Sequence, residues 1–139
     1  MYPPDVAPGF WKQVAELIAA GRLVSPDIVR DELLRVGDDG LADWLGQYPG
    51  LFRDLDDALQ LAVGAVVDAL PNFVQSEATL TRADPFVVAL ARLTGGVVVA
   101  AEKPSKSPGT HTKVPDACAH FSVRCLRLHD FMRESGIRL

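Results

Sequence analysis

Apolar residues recur at helical spacing along most of this chain and form an unbroken run at only one place. In FWKQVAELIAA, residues 10–20, Phe10, Val14, Leu17 and Ile18 share a face, Pro8-Gly9 precede them and Gly21 follows, which predicts a helix. Arg22-Leu23-Val24 reads as a short extended piece. Ser25-Pro26 carries the N-cap and first-turn chemistry of a second helix, running to about Val36 before Gly37. Residues 41–47 predict a brief helix with Leu41, Trp44 and Leu45 inward, broken by Pro49-Gly50. Asp54 then caps a long helix to about Leu70, with Leu55, Leu59, Ala62, Val63 and Val66 as its stripe. Residues 73–82 read as a short helix or a loop.

From residue 84 the pattern changes. Asp84-Pro85 starts a helix to about Thr94, and Gly95-Gly96 supplies the left-handed turn on which helices end. The β-branched run Val97-Val98-Val99-Ala100-Ala101 has no polar break, as in a strand covered on both faces. A Pro/Ser/Gly/Lys loop spans Lys103 to Val114, helical turns span Pro115 to Phe121, a second strand spans Val123 to Leu126, and a last helix spans Asp130 to Ser135. Helix–strand–helix–strand order implies parallel strands and the α/β class. The length of 139 residues implies one domain.

Composition narrows the picture. Hydrophobic residues make up 48 %, enough for a core and too many for a disordered chain. The most apolar stretch, LQLAVGAVVDAL, is interrupted by Gln60, Gly64 and Asp68, so no membrane span is expected, and no basic-then-apolar leader opens the sequence. A net charge of −4 does not attract nucleic acid as a whole, yet Lys103, Lys106, Lys113, Arg124, Arg127, Arg133 and Arg138 crowd the last third. That crowding is either a local basic face or a solvated mixed surface. Cys118 and Cys125 lack the spacing of a zinc site and read as small buried thiols in a reducing cytoplasm. His111, His120 and His129 are scattered, and Trp11 and Trp44 fall among aliphatics, as core rather than a base-stacking platform.

The candidate chemistry lies in four carboxylates. Glu32 follows Ile28 and Val29 by four and three positions, which places it on the apolar side of its helix or at the edge of that stripe. Asp84 opens a helix, Glu102 ends the valine run, and Asp116 opens the late helix PDACAHF. Converging carboxylates repel one another, and a fold that gathers them commonly holds a divalent cation; oxygen ligands suit Mg²⁺ or Mn²⁺.

In ADPFVVALA, VVVAAEKPSK and KVPDACAHFSVRCLRLHDF the chain resembles a PIN domain, the small metal-dependent ribonuclease fold of many VapC-type toxins. The likeness runs over essentially the whole chain, and is nearest to a PIN-like group in which YPPDVAPGFW, LVSPDIVRDEL and AEKPSK recur. It implies a three-layer α/β/α fold with a small parallel sheet. It places the catalytic and metal-holding carboxylates at Glu32 (in VRDEL), Asp84 and Glu102, with Asp116 assisting the metal. It implies Mg²⁺ or Mn²⁺, an RNA substrate, an antitoxin partner and a homodimer. The lysines that flank Glu102, Lys103 and Lys106, are then RNA contacts, or else belong to a plain surface loop.

The resemblance also implies a central first strand ending in a metal-ligating aspartate. The sequence opens at YPPD, past that strand, and Asp5 does not replace it because Pro3 and Pro4 cannot donate to a central ladder. A PIN-like domain over 1–139 without its first strand is expected to bind metal weakly or not at all, with activity impaired. Its gap is expected to close by pairing of the Leu23-Val24 segment with the valine run, or to be filled by another chain. Two other readings remain open: a non-catalytic module that binds an antitoxin-like partner or itself, and a phosphatase-like Mg²⁺ hydrolase, for which no nucleophile motif is found.

Overall fold

A computed structural model describes residues 7–35, 39–73, 83–107 and 111–137. Of the helix-or-loop expectation for 73–82, only Phe73 is described, at the end of a short helical turn over Pro71–Phe73, and the rest lies outside the described residues. The chain is mixed α/β, mostly helical, with small parallel sheets. It forms two compact units, residues 1–54 with 132–139, and residues 55–131.

In the first unit, α1 (Pro8–Ala19) buries Phe10, Trp11, Val14 and Ile18, the face its periodicity predicts. Proline in the first turn costs nothing, because that N–H has no helical partner. Trp11 is buried and meets Trp44 of α3 (Asp39–Gly46) edge-on at 4.6 Å, and Trp44 in turn meets Tyr48 at 4.6 Å. The tryptophans are therefore core. Ser25–Pro26 is extended, not helical: it forms β1 and pairs in parallel with β2 (Phe52–Arg53). A residue before proline is biased to extended backbone, so Ser25 takes the strand, and α2 (Asp27–Arg35) begins at an acidic residue that suits a helix N-terminus. β2 had no sequence signal, since two residues in a glycine-proline context show no period. α2 packs on both strands, and Arg30 lies 5.4 Å over the Phe52 ring.

The second unit is built on α4 (Asp57–Ala69) against α5 (Asp84–Thr94). The N-cap of α4 is Asp56 rather than Asp54; its carboxylate accepts from Leu59 N at 2.8 Å. Leu55 consequently lies outside the helix and exposed. Leu59 and Val66, seven apart, face Val88 and Ala89, and the small alanines of α5 let the helices approach. α5 ends as its glycines predict: Gly95 is left-handed (φ 66°) and Gly96 N donates to Ala91 O. The chain then turns back into β3 (Val98–Val99), which pairs in parallel with β4 (Cys125–Leu126) in the register Val98–Cys125 and Val99–Leu126. Between them lies α6 (Val114–His120), and α7 (Leu128–Ser135) follows.

β3 is shorter than expected and is not covered on both faces. Val98 is 3 % exposed, but Val97 is 45 % exposed. A ladder of two strands among the described residues leaves the run little to pair with. Nor does the Leu23-Val24 segment pair with the valine run: among the described residues β1 pairs with β2 and β3 with β4. Among the described residues no helix is long and apolar enough to cross a membrane.

Candidate functional site

The connections of the second unit sort its charged residues by end. α5 reverses at Gly95-Gly96 into β3, and α6 reverses at Phe121-Ser122 into β4, so each helix runs against the strand it precedes and packs on. The starts of α5 and α6 therefore lie at the carboxyl end of the parallel strands. Asp84 at the start of α5 and Glu102 beyond the end of β3 therefore lie toward the same end of the unit. In open α/β sheets this is the end at which ligands bind.

Two carboxylates meet at the start of α6. Glu102 Oε2 accepts from Val114 N at 3.1 Å. Asp116 Oδ2 accepts from Lys113 N and from Ser105 N, both at 2.9 Å. Backbone N–H groups at a helix start have no helical acceptor, so acids supply one, and the helix dipole favours negative charge there. The same bonds close the loop between Glu102 and α6 onto the helix start. Both bonds to Asp116 land on Oδ2 alone. Lys103 and Lys106 stand exposed on this loop.

Asp84 is half-buried at the first position of α5. Glu32 belongs to the first unit. It is half-buried on α2 with Ile28 and Val29, whereas Arg30 and Asp31 are exposed, so the inward face read from spacing is present. Among the described residues no three of His, Cys, Asp and Glu stand together as a metal-holding group. The donors present, carboxylate oxygens, are of the kind Mg²⁺ and Mn²⁺ take.

The two cysteines lie on α6 and β4. Cys118 of α6 is buried and Cys125 of β4 half-buried; both are free thiols, and they share a hydrogen bond. Burial pushes the Cys118 thiol up to about 12, with the Cys125 neighbour adding to the rise. Burial also raises Cys125, and the Glu102 carboxylate adds to that, while the Cys118 hydrogen bond opposes it. Both are thus protonated at neutral pH, as small apolar side chains would be.

Sequence reasoning missed the backbone partners of the acids. One signal was present: Val114-Pro115-Asp116 puts an acid at the third helical position, where it reaches back to the N-cap N–H. It also missed a cavity at the other end of the same strands, lined by Arg92, Phe121 and Arg124 among others.

The chain matches the family described as Domain of unknown function (DUF4411) over residues 1–139, and it belongs to that family. No curated protein and no solved structure matches it.

Proposed function

We propose that the chain is a PIN-like, metal-dependent endoribonuclease scaffold, the toxin of a toxin–antitoxin pair, with its chemistry at the carboxyl end of β3 and β4. The observation that supports this most is the placement of Asp84, Glu102 and Asp116 at that one end, by two helices that each reverse into a parallel strand. In this reading Asp84, Glu102 and Asp116 would hold Mg²⁺ or Mn²⁺. The ion would lower the pKa of a water and offset charge on the phosphodiester. The chain's own residues orient the site: the bonds from Val114, Lys113 and Ser105 fix the Glu102 and Asp116 carboxylates, and the exposed Lys103 and Lys106 attract the RNA backbone.

The test is cleavage of single-stranded RNA with Mg²⁺ or Mn²⁺ by the protein and its Asp84→Asn, Glu102→Gln and Glu32→Gln variants. Cleavage that survives Asp84→Asn at the wild-type rate would remove the reading.

A second reading, a non-catalytic interaction module that binds an antitoxin-like partner or a second copy, is favoured by one feature. Leu61 on α4 is 77 % exposed, and Gly64 and Ala65 extend that face. A stable complex together with metal-supplemented wild-type protein that leaves RNA intact would favour it.

A further inference from the structure

Among the described residues β3 pairs with β4 alone, so its outer edge is open. Alternate residues of a strand turn their backbone N–H and C=O groups to opposite sides. Val98 N donates to Arg124 O at 2.9 Å and Ala100 N to Leu126 O at 3.0 Å, so Val98 and Ala100 face β4. Val97 and Val99 therefore turn their backbone groups away from it. No hydrogen bond to either is found among the described residues. Val97 is also 45 % exposed, and Val99 is half-buried.

The two edges of this small sheet differ. Edge strands commonly carry charge or proline, which keep other strands away. β4 is bounded by Arg124 and Arg127, both exposed. From Val97 to Ala101 there is neither a charge nor a proline. A parallel ladder is ordinarily part of a larger, covered sheet, and here the unguarded side is the β-branched one.

We propose that the outer edge of β3 pairs with the same edge of a second copy of this chain, antiparallel about a twofold axis at Val98. Val97 then stands opposite the copy's Val99, and Val99 opposite the copy's Val97. Each of these two pairs exchanges two N–H···O=C bonds, made by the groups that β4 leaves over. The exposed Val97 gains a β-branched cross-strand neighbour. A twofold interface must match its own reverse, and this edge does. The axis brings no like charges face to face, because the run from Val97 to Ala101 has none. Acids and bases nearly balance over residues 55–131, so two such units lack the repulsion that the whole chain's −4 suggests. Gly95 and Gly96 flank the run without side chains, and a Cβ built at Gly95 meets nothing within 4 Å, which leaves the copy's chain room to pass. The pairing stands on the β3 backbone and does not rest on the cleavage proposed above.

The experiment follows the full chain by sedimentation over a concentration series, with amide hydrogen exchange on dilute and concentrated protein. The interface is small, so the dimer dissociates at a Kd on the order of 10 μM. The Val97 and Val99 amides exchange at least about tenfold more slowly in concentrated protein. Those of Val98 and Ala100, bonded to β4, are protected alike at both concentrations. Val99→Pro removes a donor that serves only the outer edge. It leaves the melting temperature of dilute protein near wild type and weakens the dimer at least about tenfold. Val97→Lys puts a guard charge on the edge without altering the backbone and has the same effect, so the test holds even should the proline variant fail to fold. Leu61→Ser leaves the dimer intact, which separates this edge from the α4 face. Wild-type dimerisation of Val97→Lys overturns the proposal. So does a chain that stays monomeric throughout the series, a dimer lost in Leu61→Ser, or exchange of the Val97 and Val99 amides that ignores concentration.

Discussion

At the carboxyl end of β3 and β4 the charged groups are acids on helix starts; at the amino end they are arginines at helix ends. Glu102 and Asp116 accept backbone N–H groups of α6 and its loop, and Arg92 lies in the last turn of α5 on the Phe121 ring. Helix dipoles favour both arrangements, so sign alone says nothing of function. The difference lies in what the dipole leaves unexplained. At the acidic end it is a third carboxylate, Asp84, brought toward the same end by a separate helix. At the basic end it is a serine in a glycine conformation. The acidic end is also tied down by three backbone bonds, where the basic end holds open space.

Several substitutions test this contrast. The largest effect is on cleavage. In a chain that cleaves RNA, Asp84→Asn lowers the rate at least about a hundredfold, since metal-assisted charge stabilisation is worth several kcal/mol. Its thermal melt stays near wild type, and an unchanged rate would separate Asp84 from the acidic end's chemistry.

Next is the loop closure. Asp116→Ala removes the acceptor of two N–H groups and destabilises the second unit by about 1–3 kcal/mol in denaturant unfolding. Asp116→Asn keeps an oxygen acceptor and costs less. Equal losses in the two variants would show that charge, not hydrogen bonding, holds the loop.

The thiols give a pH signature. Cys118 titrates higher in the folded chain, at about 12, than its ordinary 9.0, so the native state keeps a proton that the unfolded chain releases. Stability is therefore complete below about pH 9 and falls as pH rises toward 12. Cys118→Ala flattens that slope, and Cys125, half-buried, is alkylated faster than Cys118. A stability that stays level above pH 9 in wild type would contradict the burial assigned to Cys118.

The smallest effect belongs to Ser122. Ser122→Gly relieves the left-handed backbone and stabilises by about 0.5–1 kcal/mol, read as a higher melting temperature. A loss of stability would mean that the hydroxyl contributes more than the strain costs.

How much of this was legible in the sequence depended on local chemistry. α1, α5 and α6 were readable because proline near the start, glycine past the end, or a clear stripe fixes each one. The parallel pairing of β3 and β4 followed from helix–strand alternation. β2 and the short extent of β3 were not readable, because strand length here is set by which partner is present, and two residues carry no period. Asp56 displaced Asp54 as the cap because neighbouring aspartates look alike until the first turn is placed. At the site, Asp84, Glu102 and Asp116 could be proposed from their positions at element ends. Their backbone partners could not, since Ser105 meets Asp116 only after an eleven-residue loop closes. The arginine cavity was invisible for the same reason: Arg92 lies on α5 and Phe121 just past the end of α6.

The central claim, that the carboxyl end of β3 and β4 is the cation-binding end, is tested most directly by Mn²⁺ titration followed through amide NMR signals. Paramagnetic broadening works even for weak binding and needs no activity. The account predicts that the amides of Ser105, Lys113 and Val114 broaden first, and that Asp84→Asn with Glu102→Gln suppresses this, while Gly95 and Ser122 at the opposite end stay sharp. Broadening that is equal at both ends, or that persists unchanged in the double variant, would contradict it.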